Sequence, residues 1–284
     1  MQFRLPGKVI ETVDRLNKAG YQAYVVGGAV RDLLQNKKVR DWDFTTDAIP
    51  EEIQKIFPGS FYDNQFGTVG IPVDDGIYEI TTFRTEFGYV DRRRPDKVEW
   101  GKSLEEDLSR RDFTINAMAL QLPLEIIDPY EGQKDLENKI IKAVGNPDER
   151  FGEDALRMMR AIRIATQLGF SIDLNTLKAI KNNHELIKHV SGERIRDELL
   201  KIIASQYPAD GVLMLYNTGL LDYIFPELVK AVGVKQAGHH IYDVFIHSIE
   251  SLRNCPSDKT IVRLATLLHD VGKPVAFRII DGGI

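Results

Sequence analysis

Tyr24 to Phe44 read YVVGGAVRDLLQNKKVRDWDF, and this stretch sets out most of the parts of one reaction. The apolar run Tyr24, Val25, Val26 predicts a strand that ends in Gly27 and Gly28, a short helix carries Arg31, and a second strand presents Asp41 and Asp43. Side chains on a strand alternate, so the two aspartates share one face while Trp42 and Phe44 point into a core. Adjacent carboxylates repel each other unless a cation joins them. The glycines let backbone approach a ligand, and the start of the following helix offers free N–H groups to an anion. Phosphate on one side and oxygen-ligated Mg²⁺ on the other describe a nucleoside triphosphate site.

The chain has 284 residues, enough for more than one packed unit, and its 43% hydrophobic and 28% charged residues suit a globular protein. It contains no apolar run of about 18 residues and no basic start followed by an apolar stretch, so no membrane contact is expected and the cytoplasm is the expected compartment. A single cysteine, Cys255, excludes an internal disulfide and a cysteine metal cluster. The net charge of −5 argues against a general coat for nucleic acid. Local charge differs: Arg84, Arg92, Arg93, Arg94, Lys97, Lys102, Arg110 and Arg111 predict a basic patch beside the site.

The first half mixes strands and helices. Helical spacing over residues 8–18 stops at Gly20, Pro50 opens a short helix, residues 66–73 and 76–83 read as a hairpin, and Ser103 with Glu106 predicts a capped helix start. After Gly145-Asn146-Pro147 almost every segment has helical apolar spacing, as in Leu156, Met159, Ile162, Ile164 and Leu168. The predicted fold class is α+β, a small mixed-sheet head over residues 1–145 followed by an all-helical neck over 146–206 and a helical body over 207–284.

On the helix predicted after Pro147, Asp154, Arg157 and Arg160 fall three apart and form one polar ridge, with Arg163 continuing it. An ordinary surface pair would have the same spacing. A carboxylate beside a guanidinium can also accept from an exocyclic amine and donate to a ring nitrogen. Cytosine (N4–H₂ beside N3) and adenine (N6–H₂ beside N1) fit this pair, whereas uracil and guanine reverse both contacts. A bidentate base contact discriminates by roughly 1–3 kcal/mol.

GGAVRDLL, DWDF, FRTEFGYVDRRRPDKVEW, RRDFTINAMAL, IIDPYEG and EDALRMMR, in this order, resemble the class II tRNA nucleotidyltransferases, the CCA-adding enzymes, within a polymerase-beta-like superfamily. Bacterial poly(A) polymerases share several of these motifs. The resemblance implies that Asp41 and Asp43 hold Mg²⁺, that Gly27, Gly28, Arg31 and Arg111 hold the triphosphate, and that Arg111 also serves catalysis. It implies that Asp154 and Arg157 select the base, with Arg160 and Arg163 supporting the nucleotide. Glu79 and Asp112 are the candidates for a third carboxylate; Glu79 is preferred, because Asp112 could pair with a neighbouring arginine. The implied activity is addition of CMP and AMP from CTP and ATP to the tRNA 3′ end at the acceptor stem, releasing pyrophosphate. An A-adding-only enzyme and a poly(A) polymerase are the alternatives. The family's loop for switching from CTP to ATP falls in residues 84–98, and its full length here implies A as well as C addition.

His247 and the pair His269-Asp270 in ATLLHDVGKP resemble the start of an HD phosphohydrolase domain, whose further aspartate Asp281 does not supply well. The last residues, IIDGGI, read as a stop inside a longer protein. His239 and His240 are read as surface or packing residues. Nothing in the sequence indicates an oligomeric state.

Overall fold

The computed structural model describes residues 5–62, 67–74, 76–87, 97–101, 103–236 and 241–276. Two compact units divide between Glu153 and Asp154.

In the first unit, α1 (Gly7–Lys18) buries Val9, Val13 and Leu16, and α2 (Gly28–Leu34) follows β1 (Ala23–Val26) directly. Then come β2 (Asp43–Thr46), α3 (Pro50–Ile56), β3 (Phe61–Tyr62), β4 (Thr68–Val73) and β5 (Gly76–Thr82). The pair β6 (Arg84–Phe87) and β7 (Lys97–Trp100) forms its own antiparallel ribbon. After α4 (Leu104–Ser109) and a 3₁₀ turn at Thr114–Asn116, the chain adds β8 (Ala119–Gln121), β9 (Glu125–Ile127), α5 (Gly132–Glu137), β10 (Ile140–Ile141) and α6 (Pro147–Glu153). Seven strands make one mixed sheet in the order β3-β4-β5-β2-β1-β8-β9. Among the described residues, the β2–β5 pair alone is parallel within it. The hairpin read over 66–83 is present as β4–β5, turning between Val73 and Gly76.

The strands alternate as a half-buried sheet should. Phe44 and Ile80 are buried in register, whereas Asp43 and Glu79, one residue earlier on each strand, pair on the opposite face. Asp41 departs from the expectation. It lies in a bend ahead of β2, since β1 pairs only as far as Val26 with Asp43 and then turns away at Gly27, leaving Asp41 without a β1 partner in the ladder.

A second apolar cluster fixes α4. Leu104 and Leu108, one helical turn apart, pack with Tyr24, Val26, Phe83 and Ala119. Ser103 Oγ accepts from the Glu106 N–H at 3.3 Å and caps the helix start. The turn after α4 is held from below: Thr114 Oγ1 donates to buried Asp135 Oδ2 at 2.7 Å, and Asp128 accepts from the Gly132 and Gln133 N–H groups.

Among its described residues, the second unit is helical apart from the two-residue strand β11 (Ser171–Ile172). Its helices are α7 (Leu156–Leu168), α8 (Leu174–Asn183), α9 (Gly192–Ile203), α10 (Pro208–Asn217), the short α11 (Leu221–Ile224) and α12 (Pro226–Val229), α13 (Val244–Arg253), α14 (Thr260–Leu268) and α15 (Lys273–Ala276). α7 buries Leu156, Met159, Ile162 and Ala165 and packs on α9 and α10. The single helix expected after Pro147 is two, α6 and α7, because Asp154 and Ala155 interrupt it; Asp154 Oδ1 accepts from the Leu156 N–H at 3.1 Å, and Ala155 is the residue ahead of α7. Among the described residues, no helix is long and apolar enough to cross a membrane.

Gly132 fits where no side chain would, since a Cβ there would lie 2.3 Å from the Thr114 carbonyl oxygen. Gly132→Ala is therefore expected to destabilise the first unit by roughly 2 kcal/mol, a fall of about 5 °C in melting temperature. Calorimetry of the variant checks this; an unchanged Tm would show that the Thr114 turn yields freely.

Candidate functional site

The glycine turn, the carboxylates and one arginine meet at the end of β1. Gly27 has φ +70°, and a Cβ built on it would lie 3.2 Å from Arg111 Nη1 and 3.4 Å from Asp43 Oδ2. The positive φ is what calls for glycine there, and both groups sit within contact distance of the turn. Burial pushes the Asp43 carboxyl above the usual carboxylate range; the Arg111 guanidinium opposes this, and the neighbouring charge of Asp41 reinforces it. Such an environment favours a cation.

Glu79 stands opposite Asp43 in the parallel β2–β5 ladder. Neighbouring strands are about 4.8 Å apart and matched residues point to the same face. Glu79 is exposed there. Asp112 is instead buried, and its Oδ1 accepts from the Phe113 N–H at 2.9 Å and from Asn116 Nδ2 at 3.3 Å. These bonds commit Asp112 to shaping the turn.

Arg31 folds back over Gly28, whose Cβ would lie 3.4 Å from its Nη2. Its Nη1 donates to Asn116 Oδ1 and its Nε to Asp32 Oδ1, both at 2.9 Å. Asn116 thus links Arg31 to Asp112, a tie that the sequence reading missed.

Arg110 and Arg111 do not contribute to an open basic patch. Both donate to Asp107, which is fully buried: Arg111 Nη2 reaches Oδ2 at 3.0 Å and Arg110 Nε reaches Oδ1 at 3.1 Å. Burial would raise the Asp107 carboxyl, but the two guanidiniums hold it down to about 2. Residues 88–96, with Arg92, Arg93, Arg94 and most of the loop over 84–98, and Lys102 lie outside the described residues, as do His239, His240 and Asp281.

In the second unit, Arg157, Arg160 and Arg163 lie half-buried along one side of α7. Asp154 precedes the helix, and its carboxylate receives the fork of Arg194 from α9, Nη2 to Oδ2 at 2.7 Å and Nη1 to Oδ1 at 3.3 Å. Arg194 lies 40 residues away in sequence and carries no local signal. Arg163 Nε lies 2.7 Å from Oε2 of buried Glu198, as an ion pair without hydrogen-bond alignment, while Lys201 Nζ donates to Oε1 at 3.1 Å.

The same unit carries a separate cluster. His247 Nε2 lies 3.1 Å from His269 Nε2, and Asp270 Oδ2 lies 3.5 and 3.2 Å from these two nitrogens. Lys273 Nζ also donates to Asp270 Oδ2, at 2.7 Å. The group of two imidazoles and a carboxylate is compact enough to hold a metal ion.

Residues 23–142 match the family described as the poly(A) polymerase head domain, and residues 169–232 match the one described as the probable RNA- and SrmB-binding site of polymerase A. The CCA-adding enzyme of Lactobacillus helveticus is 52% identical over 216 residues, 76% of this chain and 54% of that protein. The chain belongs to the CCA-adding enzyme and poly(A) polymerase family. It spans about half the length of the curated relatives it matches, 54% and 56% for two of them. The crystal structure of the Bacillus stearothermophilus CCA-adding enzyme in complex with CTP superposes with TM-score 0.76 at 34% identity, over 95% of this chain and 64% of that one. A tRNA nucleotidyltransferase complexed with a primer tRNA and an incoming ATP analog gives TM-score 0.69 at 27% identity, over 91% and 75%. The α+β architecture with a polymerase-beta-like head is that of these relatives.

Gly27→Ala is expected to cost roughly 1–3 kcal/mol in backbone strain and to push Arg111 and Asp43 apart. If the site carries the nucleotide transfer proposed below, turnover should fall about 100-fold, as displaced reacting groups do, while the fold survives. Wild-type turnover in a folded Gly27→Ala protein would show that the turn plays no part in the site.

Proposed function

We propose that the chain transfers CMP and AMP from CTP and ATP to the 3′ end of tRNA, as its CCA-adding relatives' name describes. The observation that carries this is the meeting of Gly27, Arg111 and Asp43, with Glu79 in register beside Asp43. In this reading residues 1–145 are the catalytic head, 146–206 the neck that reads the base, and 207–284 a helical body, working in the cytoplasm. A-only addition and poly(A) synthesis use the same head chemistry and are separated by the substrate test below.

The oxygen-only donor set of Asp41, Asp43 and Glu79 fits Mg²⁺. When bound, the metal would acidify the attacking 3′-hydroxyl and offset charge on the departing pyrophosphate. The chain's own residues position and neutralise. Arg111 and Arg31 offer guanidinium N–H groups to phosphate oxygens, and the Gly27-Gly28 turn keeps side chains out of the way. Glu79 serves as the third carboxylate in this proposal, Asp112 being engaged by Phe113 and Asn116.

For the base, Asp154 accepts the exocyclic amine of C or A and Arg157 donates to the adjacent ring nitrogen, with Arg160 and Arg163 supporting the nucleotide. Arg194 fixes the Asp154 carboxylate so that this acceptor has one direction. A second activity of HD type, metal-dependent release of phosphate from 2′,3′-cyclic nucleotides, is favoured by the His247, His269 and Asp270 cluster alone.

Three tRNA transcripts, ending before CCA, after C and after CC, separate these readings when extended with each nucleotide and Mg²⁺. Ordered C, C and then A addition that stops supports CCA addition; ATP use on the CC-ended transcript alone gives A addition; a long A tail gives poly(A) synthesis. Asp43→Ala should abolish every extension, and retained turnover in it would sink the proposed site. Asp154→Ala combined with Arg157→Ala should admit UTP and GTP, narrowing a discrimination of roughly 1–3 kcal/mol per base contact. Continued exclusion of UTP and GTP in that double variant would place base selection elsewhere.

A further inference from the structure

Arg111 faces a conflict that its neighbours resolve. A guanidinium beside the half-buried Asp43 carboxylate is drawn towards it, and a direct ion pair there would neutralise the charge that a metal needs. Asp107 opposes that collapse. Its two oxygens are divided between Arg110 and Arg111, and its Oδ2 holds Arg111 by Nη2 at 3.0 Å. The other terminal nitrogen, Nη1, is left turned to Gly27 beside Asp43. Asp107 is itself wholly buried, so it touches neither metal nor nucleotide. Its place is fixed by α4, whose Leu104 and Leu108 are packed among Tyr24, Val26 and Phe83.

We infer that Asp107 is a positioning residue, a buried anchor that holds Arg111 in reach of phosphate while keeping it from closing onto Asp43. The inference rests on the proposed metal and triphosphate site and deepens it. It predicts a suppressor. With the anchor removed, Arg111 pairs with Asp43 and weakens cation binding; with Arg111 also removed, the carboxylates are freed again. A residue that served only the stability of the head would give no such recovery.

The test is binding of Mn²⁺ to the full chain, followed by the electron paramagnetic resonance of the free ion, for the wild-type head, Asp107→Asn, Arg111→Gln and the double variant, each carrying His247→Ala and His269→Ala so that the second unit's cluster takes no ion. Asp107→Asn should bind Mn²⁺ about tenfold more weakly, and the double variant should return to within about twofold of wild type. Transfer should not recover in the double variant, because Arg111 is gone. Asp107→Ser, which leaves room for a water, takes the place of Asp107→Asn if the asparagine variant melts below the assay temperature. Unchanged Mn²⁺ affinity in the anchor variant, or a double variant as weak as the single one, would overturn the inference while leaving the site intact. Absence of Mn²⁺ binding with the wild-type head would overturn the metal site, and the inference with it.

Discussion

The head depends on where one strand stops. β1 pairs with β2 as far as Val26 and Asp43, and Gly27 then turns the backbone with a positive φ that a side chain would strain. That stop sets three things together. It ends the ladder at Asp43, leaves Asp41 in the bend before β2, and opens the space into which Arg111 reaches. The parallel pairing of β2 with β5 then carries the same level across to Glu79. Asp43 and Glu79 are thus located by backbone hydrogen bonding, while the apolar side chains of the same strands, Phe44 and Ile80, anchor the opposite face.

Charge is handled differently in the two units. In the first, a single buried carboxylate, Asp107, takes two consecutive arginines, and burial makes that arrangement rigid. In the second, Asp154 and Glu198 each take a cation from another part of the helical array: Arg194 on α9 for Asp154, and Arg163 on α7 for Glu198. Both patterns spend a carboxylate on orienting a guanidinium or being oriented by one. A planar donor fork suits this, since two bonds fix a direction as well as a distance.

Period and motif carried much of this in the sequence. Alternation placed Asp43 on the face opposite Phe44, the β4–β5 hairpin followed from Asp74, Asp75 and Gly76, and Ser103 marked the start of α4. What the sequence concealed was mostly long-range. Arg194 meets Asp154 across 40 residues, and Asn116 meets Arg31 across 85, so no local spacing points to either. Asp107 shares the first turn of α4 with Glu105 and Glu106, and only the packing of Leu104 and Leu108 reveals that it is turned inward. The break between α6 and α7 was hidden for another reason: Asp154 sits three residues before Arg157, a spacing that also fits the polar ridge of one continuous helix.

The sheet also joins distant parts of the chain in time. β1 lies between β2 and β8, and its pairing with β8 brings Val25 to Leu120 and Val26 to Ala119. Asp41, Asp43 and the glycine turn leave the ribosome early, but the strand on the other side of β1, and Arg111 just before it, emerge much later. A nascent chain therefore carries its clustered negative charge for a long interval without the arginine that answers it. Such non-local pairings form slowly, and β1 has an unpaired edge until β8 arrives.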